Sequence, residues 1–317
     1  MPAPTKTATG QVFKQQVKLM GNQFELSAVG DDADWANTVI QAGIDEIKRI
    51  EQLLTTYRDD SETNQVNSHA GIAPVKVSNE TFELIERAQR ISGVTQGAFD
   101  LSYGSVDKKL WNFDTQANTL PDKKTALKMV RLINYKNIVL NKEDSTVFLR
   151  EKGMRIGFGG IGKGYAADKA KQVMKSMGCI TGVVNASGDL TAWGYQPNGK
   201  PWTIGIVNPN AANVAFSYMD ITDMAVATSG NYEKFIMVDG KKYSHTINPK
   251  TGLPVTGIKS VTIIAPHAEI ADAMATPVMI MGIEAGLFMI NQMNNIEAIL
   301  IDDNDKLYSS KNIRIKK

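Results

Sequence analysis

The sequence is poor in the residues that narrow function most sharply. Its 317 residues include one cysteine, Cys179, and three histidines, His69, His245 and His267. A single cysteine excludes an internal disulfide and any cysteine-rich metal site. Its place between a helix end and an apolar strand marks it as a small buried hydrophobe rather than a nucleophile. No run of about 18 apolar residues occurs, so no segment reads as a transmembrane helix. An excess of charge of one sign is also missing. A net charge of +2 makes no case for nucleic acid or a polybasic membrane anchor. The basic residues Lys311, Arg314, Lys316 and Lys317 read as a solvated tail. The first ten residues are polar and lack the apolar core of a signal peptide, which leaves either a cytoplasmic chain or one whose export signal was trimmed. With no internal repeat or low-complexity linker, one integrated domain over residues 17–317 is expected behind a flexible leader, residues 1–16.

What is present is ordinary globular composition, 43% hydrophobic and 21% charged, with clear local periodicity. Gln11 to Met20 and Phe24 to Val29 read as strands joined at Gly21-Asn22. Ile40, Ile44, Ile47, Ile50 and Leu54 make Asp34 to Tyr57 an amphipathic helix. Arg58 to Gly71 is polar and reads as loop. Ser78 is an N-cap for a helix through Ile91, and a shorter helix is expected at Thr125 to Leu132. Thr146 to Arg150 and Met154 to Phe158 read as a hairpin. Beyond Gly178 come seven expected strands: Thr181–Asn185, Trp202–Val207, Phe216–Ile221, Met224–Ala227, Lys234–Val238, Lys241–Ile247 and Lys259–Ala265. Asp239-Gly240 is a hairpin turn. A helix carrying Asp272, another at Glu284 to Gln292 and a terminal hairpin (Ile296–Ile301, Lys306–Ser309) complete the chain. Strands in runs rather than alternating with helices predict an α+β fold with largely antiparallel sheet.

The stretch Gly157-Phe158-Gly159-Gly160-Ile161-Gly162-Lys163-Gly164 has five glycines in eight positions, which marks close approach of the backbone to something else. Lying between an expected strand and a helix closed by Gly178, it would aim N–H groups at one point and suit phosphate oxygens. A tight structural turn is the plainer alternative. Two better-known phosphate loops match in letters and fail in context. A dinucleotide fingerprint needs a βαβ unit with a following acidic residue, and a P-loop needs Ser or Thr where Gly164 stands. Asp302, which imitates the aspartate of such NTPases, lies in a polar run that reads as a hairpin turn.

Two further groups carry chemistry. Asp272 and Thr276, four apart on one helix face with small alanines between, offer carboxylate and hydroxyl oxygens suited to Mg²⁺; alone, the pair could equally cap or face solvent. Pro277 predicts a kink or break there, freeing carbonyls near Ala273. His245, late in a strand that runs into Asn248-Pro249-Lys250-Thr251-Gly252, could act as a base or be structural. His69 and His267 read as exposed bystanders.

Together these segments resemble the FAD:protein FMN transferase (ApbE-like) family. The likeness rests on Leu19-Met20-Gly21 with Phe24-Glu25-Leu26, Thr56-Tyr57-Arg58-Asp59-Asp60-Ser61-Glu62, Gly97-Ala98-Phe99-Asp100, Gly159 to Asp168, Ser244 to Gly252 and Ala271-Asp272-Ala273 with Thr276, and more weakly on Ser229-Gly230-Asn231-Tyr232-Glu233. It implies a T-fold-related architecture with an FAD cleft between two lobes. It also implies a Mg²⁺-dependent enzyme that splits FAD, attaches FMN to a Thr or Ser hydroxyl of an acceptor flavoprotein and releases AMP. By the same resemblance Met20, Tyr57, Ala98, Phe99, Asp100, Gly157, Lys163, Thr246 and Ile247 would contact FAD. Asp272, Thr276 and the carbonyl of Gly160 would hold the metal, and His245 would be the base. The family tends to the periplasm or cell envelope, and a monomer or homodimer is expected. Family members usually carry Asp at Gly157 and a helix-compatible residue at Pro277. An FAD pyrophosphatase and a non-catalytic flavin carrier are the competing readings.

Overall fold

The computed structural model describes residues 10–111, 119–208, 211–231 and 235–313. In chain order, β1 (Gln11–Leu19) and β2 (Asn22–Gly30) precede α1 (Ala33–Leu54), α2 (Glu62–Ser68), β3 (Val75–Lys76) and α3 (Asn79–Val94). A 3-10 turn at Leu101–Ser105 leads to α4 (Lys123–Met129), β4 (Ile138–Asn141), β5 (Thr146–Leu149) and α5 (Gly162–Ser176). Then come β6 (Gly182–Ala186), β7 (Asp189–Trp193), β8 (Trp202–Asn208), β9 (Ala211–Ile221), β10 (Met224–Gly230), β11 (Phe235–Val238), β12 (Lys241–Ser244) and β13 (Ile258–Ala265). The chain continues through α6 (Ala268–Met281), α7 (Ile283–Ile290), β14 (Glu297–Asp302) and β15 (Leu307–Ser309).

The main sheet has eight strands in the order β1-β2-β6-β7-β10-β13-β14-β15, every neighbouring pair antiparallel. This is the α+β architecture that the runs of strands predict. Side chains alternate between its faces. Phe24, Leu26, Ala225, Ala227, Val261 and Ile263 join the larger core, over which α1, α5 and α6 pack side by side. Val29, Leu190, Val226, Ile264 and Ile299 face the other way and are covered by Trp202, Ile206 and Ile221 of the β8–β9 hairpin. Each fully buried Leu, Ile or Val contributes about 1.5–3 kcal/mol.

The helix starts follow local chemistry. The Asp32 carboxylate accepts from the N–H groups of Asp34 and Trp35 at the start of α1, and Ser78 caps α3 through the N–H of Thr81. At the β11–β12 turn, Asp239 and Gly240 both take positive φ, 51° and 73°. Cys179 is buried, and burial pushes its thiol up to about 11, as expected of an inert core residue.

Several expectations need correction. Residues 11–16 belong to β1, with Gln11 opposite Gly30, so they are sheet rather than leader. The polar stretch after Arg58 contains α2, whose N-cap Ser61 accepts from the N–H of Asn64. The strand expected to reach Ile247 stops at Ser244. Helix α6 continues through Pro277 to Met281 without a break. β7 lies at the centre of the sheet where no strand is expected. Residues 1–9, Arg314, Lys316, Lys317 and the pair 232–233 lie outside the described residues.

The hairpin expected to feed the glycine stretch does not form. β5 pairs instead with β4 and β3, and Met154–Phe158 is in no strand. This segment still alternates buried and less buried residues, but side chains take up the backbone groups of Arg155 and Ile156. The Asn67 amide donates to the carbonyl of Ile156 at 3.0 Å and accepts from the N–H of the same residue at 2.7 Å. Ser105 does the same for Arg155, at 2.9 and 2.8 Å. Asn67 is buried, so its loss would strand two buried backbone groups. Asn67→Ala is expected to lower unfolding stability by about 2–4 kcal/mol; an unchanged urea midpoint would refute the bridging role.

Candidate active site

A cleft of about 720 Å³ opens where the C-terminal end of α1, the β1–β2 turn, the 98–104 segment, the glycine stretch and the start of the 245–252 segment converge. Eleven predicted site residues line it: Met20, Tyr57, Ala98, Phe99, Asp100, Gly157, Gly160, Lys163, His245, Thr246 and Thr276. Asp272 lies behind the wall, buried. Ile247 is the one that turns away. Its side chain packs with Met129 and Val130, while its N–H donates to the Tyr103 hydroxyl at 3.1 Å.

The glycine stretch divides into parts with different jobs. Gly164 answers a packing demand, since a Cβ there would lie 2.1 Å from the Ala268 carbonyl oxygen in α6. Gly159 faces open space, and a Cβ on Gly157 would meet only a Thr56 methyl at 3.8 Å. An aspartate at position 157 would therefore not collide with its neighbours. The N–H of Gly157 donates to Leu101, and those of Ile161 and Gly162 donate to Phe158. Among the described residues, the N–H groups of Phe158, Gly159 and Gly160 have no protein acceptor. Consecutive unmatched donors beside a cleft are a ready anion cradle. The start of α5 is not part of it. Ile161 supplies no capping oxygen, and the Asp272 carboxylate accepts from the N–H of Gly164 at 3.0 Å.

Around that junction two buried carboxylates meet one ammonium. The Lys163 Nζ pairs with Asp189 Oδ2, and Asp189 Oδ1 accepts from the N–H of Thr228 at 3.3 Å. Burial, followed by the nearby charge of Asp189, holds the Asp272 carboxyl well above the usual carboxylate range against the pull of Lys163 and the N–H of Gly164. Burial raises Asp189 likewise. Both carboxyls are thus biased toward their neutral forms, and a bound cation would favour the ionised form of Asp272. One turn along α6, the Thr276 hydroxyl lies 3.2 Å from that of Ser229. No cluster of three or more His, Cys, Asp or Glu that could hold a metal exists among the described residues. A metal here would therefore combine the Asp272 carboxylate with hydroxyl, carbonyl and ligand oxygens. That all-oxygen set fits Mg²⁺.

The remaining wall is aromatic and apolar at one end and open at the other. Phe99 and Ala98 are buried in the wall, whereas Tyr57 is 96% exposed. Met20 holds a left-handed φ of 49° in the β1–β2 turn, and its N–H donates to Glu51 at 2.8 Å. Asp100 reaches the cleft, but its oxygens are engaged by Ser102 and by the N–H of Tyr135. Burial raises its carboxyl despite those bonds. His245 is exposed at the end of β12, and His69 and His267 are exposed elsewhere. Asp302 caps its own turn through the N–H groups of Asn304 and Lys306, in keeping with the turn reading. Residues not foreseen from sequence include Glu51, Thr55 and Tyr103 in the lining, and Asp189 and Ser229 behind it.

Fold and site define an α+β protein whose ligand-sized cleft sits where helices meet one end of the strands of an antiparallel sheet. The ApbE family model matches residues 20–300, and the chain belongs to the ApbE family. It is 30% identical over 308 residues to an FAD:protein FMN transferase of Klebsiella pneumoniae (strain 342), covering 96% of this chain and 94% of that protein. It is 29% identical over 289 residues to that of Escherichia coli (strain K12), covering 89% and 82%. Among solved structures it resembles the ApbE protein of Thermotoga maritima, at a TM-score of 0.85 and 29% identity over 95% of this chain and 97% of the other. The flavinyl transferase ApbE of Pseudomonas stutzeri gives 0.82 and 27%, covering 95% of each.

The contact between α5 and α6 is directly testable. Gly164→Ala would drive a methyl into the Ala268 carbonyl, and a loss of about 1–3 kcal/mol or more is expected. A melting temperature equal to that of the unaltered protein would show that the helices can separate freely.

Proposed function

We propose that this chain is an FAD:protein FMN transferase that uses Mg²⁺, with the elements from β1 to β15 acting as one catalytic unit. The observation that carries the proposal is the convergence in one cleft of Lys163, Thr276, His245 and the unmatched N–H groups of Gly159 and Gly160. The names of the relatives support the same assignment.

In this reading the N–H groups of Gly159 and Gly160 and the Lys163 ammonium bind the pyrophosphate of FAD. Phe99, Ala98 and Met20 line the space for its apolar rings, with Tyr57 at the mouth, and Thr246 adds a hydroxyl. Gly157 leaves out a carboxylate that the family usually has, so this chain holds the nucleotide with one contact fewer. Mg²⁺, held by Asp272, Thr276 and the Gly160 carbonyl, would neutralise charge on the pyrophosphate oxygens.

His245 takes the proton from a Thr or Ser hydroxyl of the acceptor flavoprotein. That oxygen bonds to the phosphorus of the FMN half as the bond to the bridging oxygen breaks, and AMP leaves with the electron pair. The hydroxyl oxygen becomes the phosphoester link, so atoms and charge balance. Because His245 is exposed, water has similar access, and hydrolysis of FAD to FMN and AMP is the second reading.

Incubation with FAD, Mg²⁺ and a flavoprotein fragment, followed by in-gel flavin fluorescence and AMP assay, separates the two. A labelled acceptor supports transfer, whereas AMP and FMN without label support hydrolysis. His245→Ala is expected to retain FAD binding and slow transfer about a hundredfold or more; undiminished transfer would remove the base assignment. Asp272→Ala is expected to abolish Mg²⁺-dependent turnover and to lower the melting temperature, since the buried N–H of Gly164 loses its acceptor. Full turnover in that variant would sink the metal assignment.

A further inference from the structure

We infer that Asp189 is the positioning residue that aims the Lys163 ammonium at the pyrophosphate, an inference that rests on the flavin-transferase reading. Asp189 does not line the cleft. Its side chain is 5% exposed, against 26% for Lys163, which does line it. Asp189 therefore acts on a ligand only through the lysine.

Its carboxylate is fixed from three directions. Asp189 opens β7, directly after the turn at Ser187 and Gly188, whose φ values are 56° and 101°. β7 is paired on both sides, with β6 and with β10. The N–H of Thr228 in β10 holds Oδ1, which leaves Oδ2 for Lys163. The carboxylate is thus anchored to a central strand of the eight-stranded sheet.

Lys163 stands between two carboxylates. Asp272 accepts from the N–H of the next residue, Gly164, and Asp189 takes the Lys163 ammonium. Both carboxylates attract the same ammonium. Without Asp189 the ammonium would turn toward Asp272, into the residues assigned to the metal and off the cleft wall. A lysine whose rotamers are settled before a ligand arrives loses less freedom on binding. The pair is also formally neutral, so Lys163 offers the phosphates directed N–H donors rather than net charge.

The test is a double-mutant cycle of Asp189→Asn and Lys163→Met, read as FAD affinity by flavin fluorescence with Mg²⁺ present, alongside kcat and KM for FAD. D189N keeps the size of the side chain and an oxygen for Thr228. It is expected to weaken FAD binding about tenfold or more, but to change affinity by no more than about twofold in the K163M background. Unchanged affinity in D189N, or an equal loss with and without Lys163, would overturn the proposal, since a merely structural role persists when the lysine is gone. Should D189N fail to fold, Lys163→Arg keeps the charge and alters its placement. Weakened FAD binding in K163R is then expected, and wild-type affinity would overturn the proposal. A wild-type protein that leaves FAD unbound sinks the transferase reading itself. Wild-type binding and labelling with a neutral D189N sink only the role of Asp189.

Discussion

Asp272 meets a need that the start of α5 cannot meet for itself. The first turn of a helix exposes N–H groups that require acceptors, and Ile161 provides no side-chain oxygen. The carboxylate reaches across from α6 to the N–H of Gly164, and the missing side chain at Gly164 allows the two helices to come that close. α6 in turn packs on β10 and β13. The glycine stretch, Lys163 and Thr276 thus share one frame tied to the sheet. The carboxylate that joins the helices is also the one proposed to hold the metal, so on that proposal integrity and metal affinity meet at one residue.

The cleft has two mechanical halves. Lys163 and Thr276 stand on helices over the sheet, and Asp189 and Ser229 back them from strands. Tyr57 and His245 stand on connecting segments and are exposed. Rigid elements suit the end that must grip phosphates in a fixed geometry. Connecting segments suit the end that must admit a second protein.

Much of this was legible in the sequence where one periodicity ruled. α1, α3 and the β1–β2 hairpin follow from apolar spacing and caps, and the motifs carried most of the cleft lining. β7 was hidden because all five of its residues are buried. With both faces covered there is no alternation to detect, and the turn before it reads as loop. Asp189 was hidden with it. Met154–Phe158 misled in the opposite sense. It alternates like a strand, yet its backbone partners are the side chains of Asn67 and Ser105. The glycines share a letter but not a cause, since Gly164 serves helix packing and Gly159 faces open space. Only coordinates separate those roles.

The register of the main sheet carries a kinetic implication. β2 pairs with β6, so that Phe24 lies opposite Ala186 and Ala28 opposite Gly182. The first hairpin must therefore wait, during synthesis, for a strand some 150 residues later before it gains its inner neighbour. Contacts closed across so long a loop come late and slowly. The cleft draws on residues from Met20 to Ile280, so flavin binding would report completion of the chain rather than the folding of any one segment.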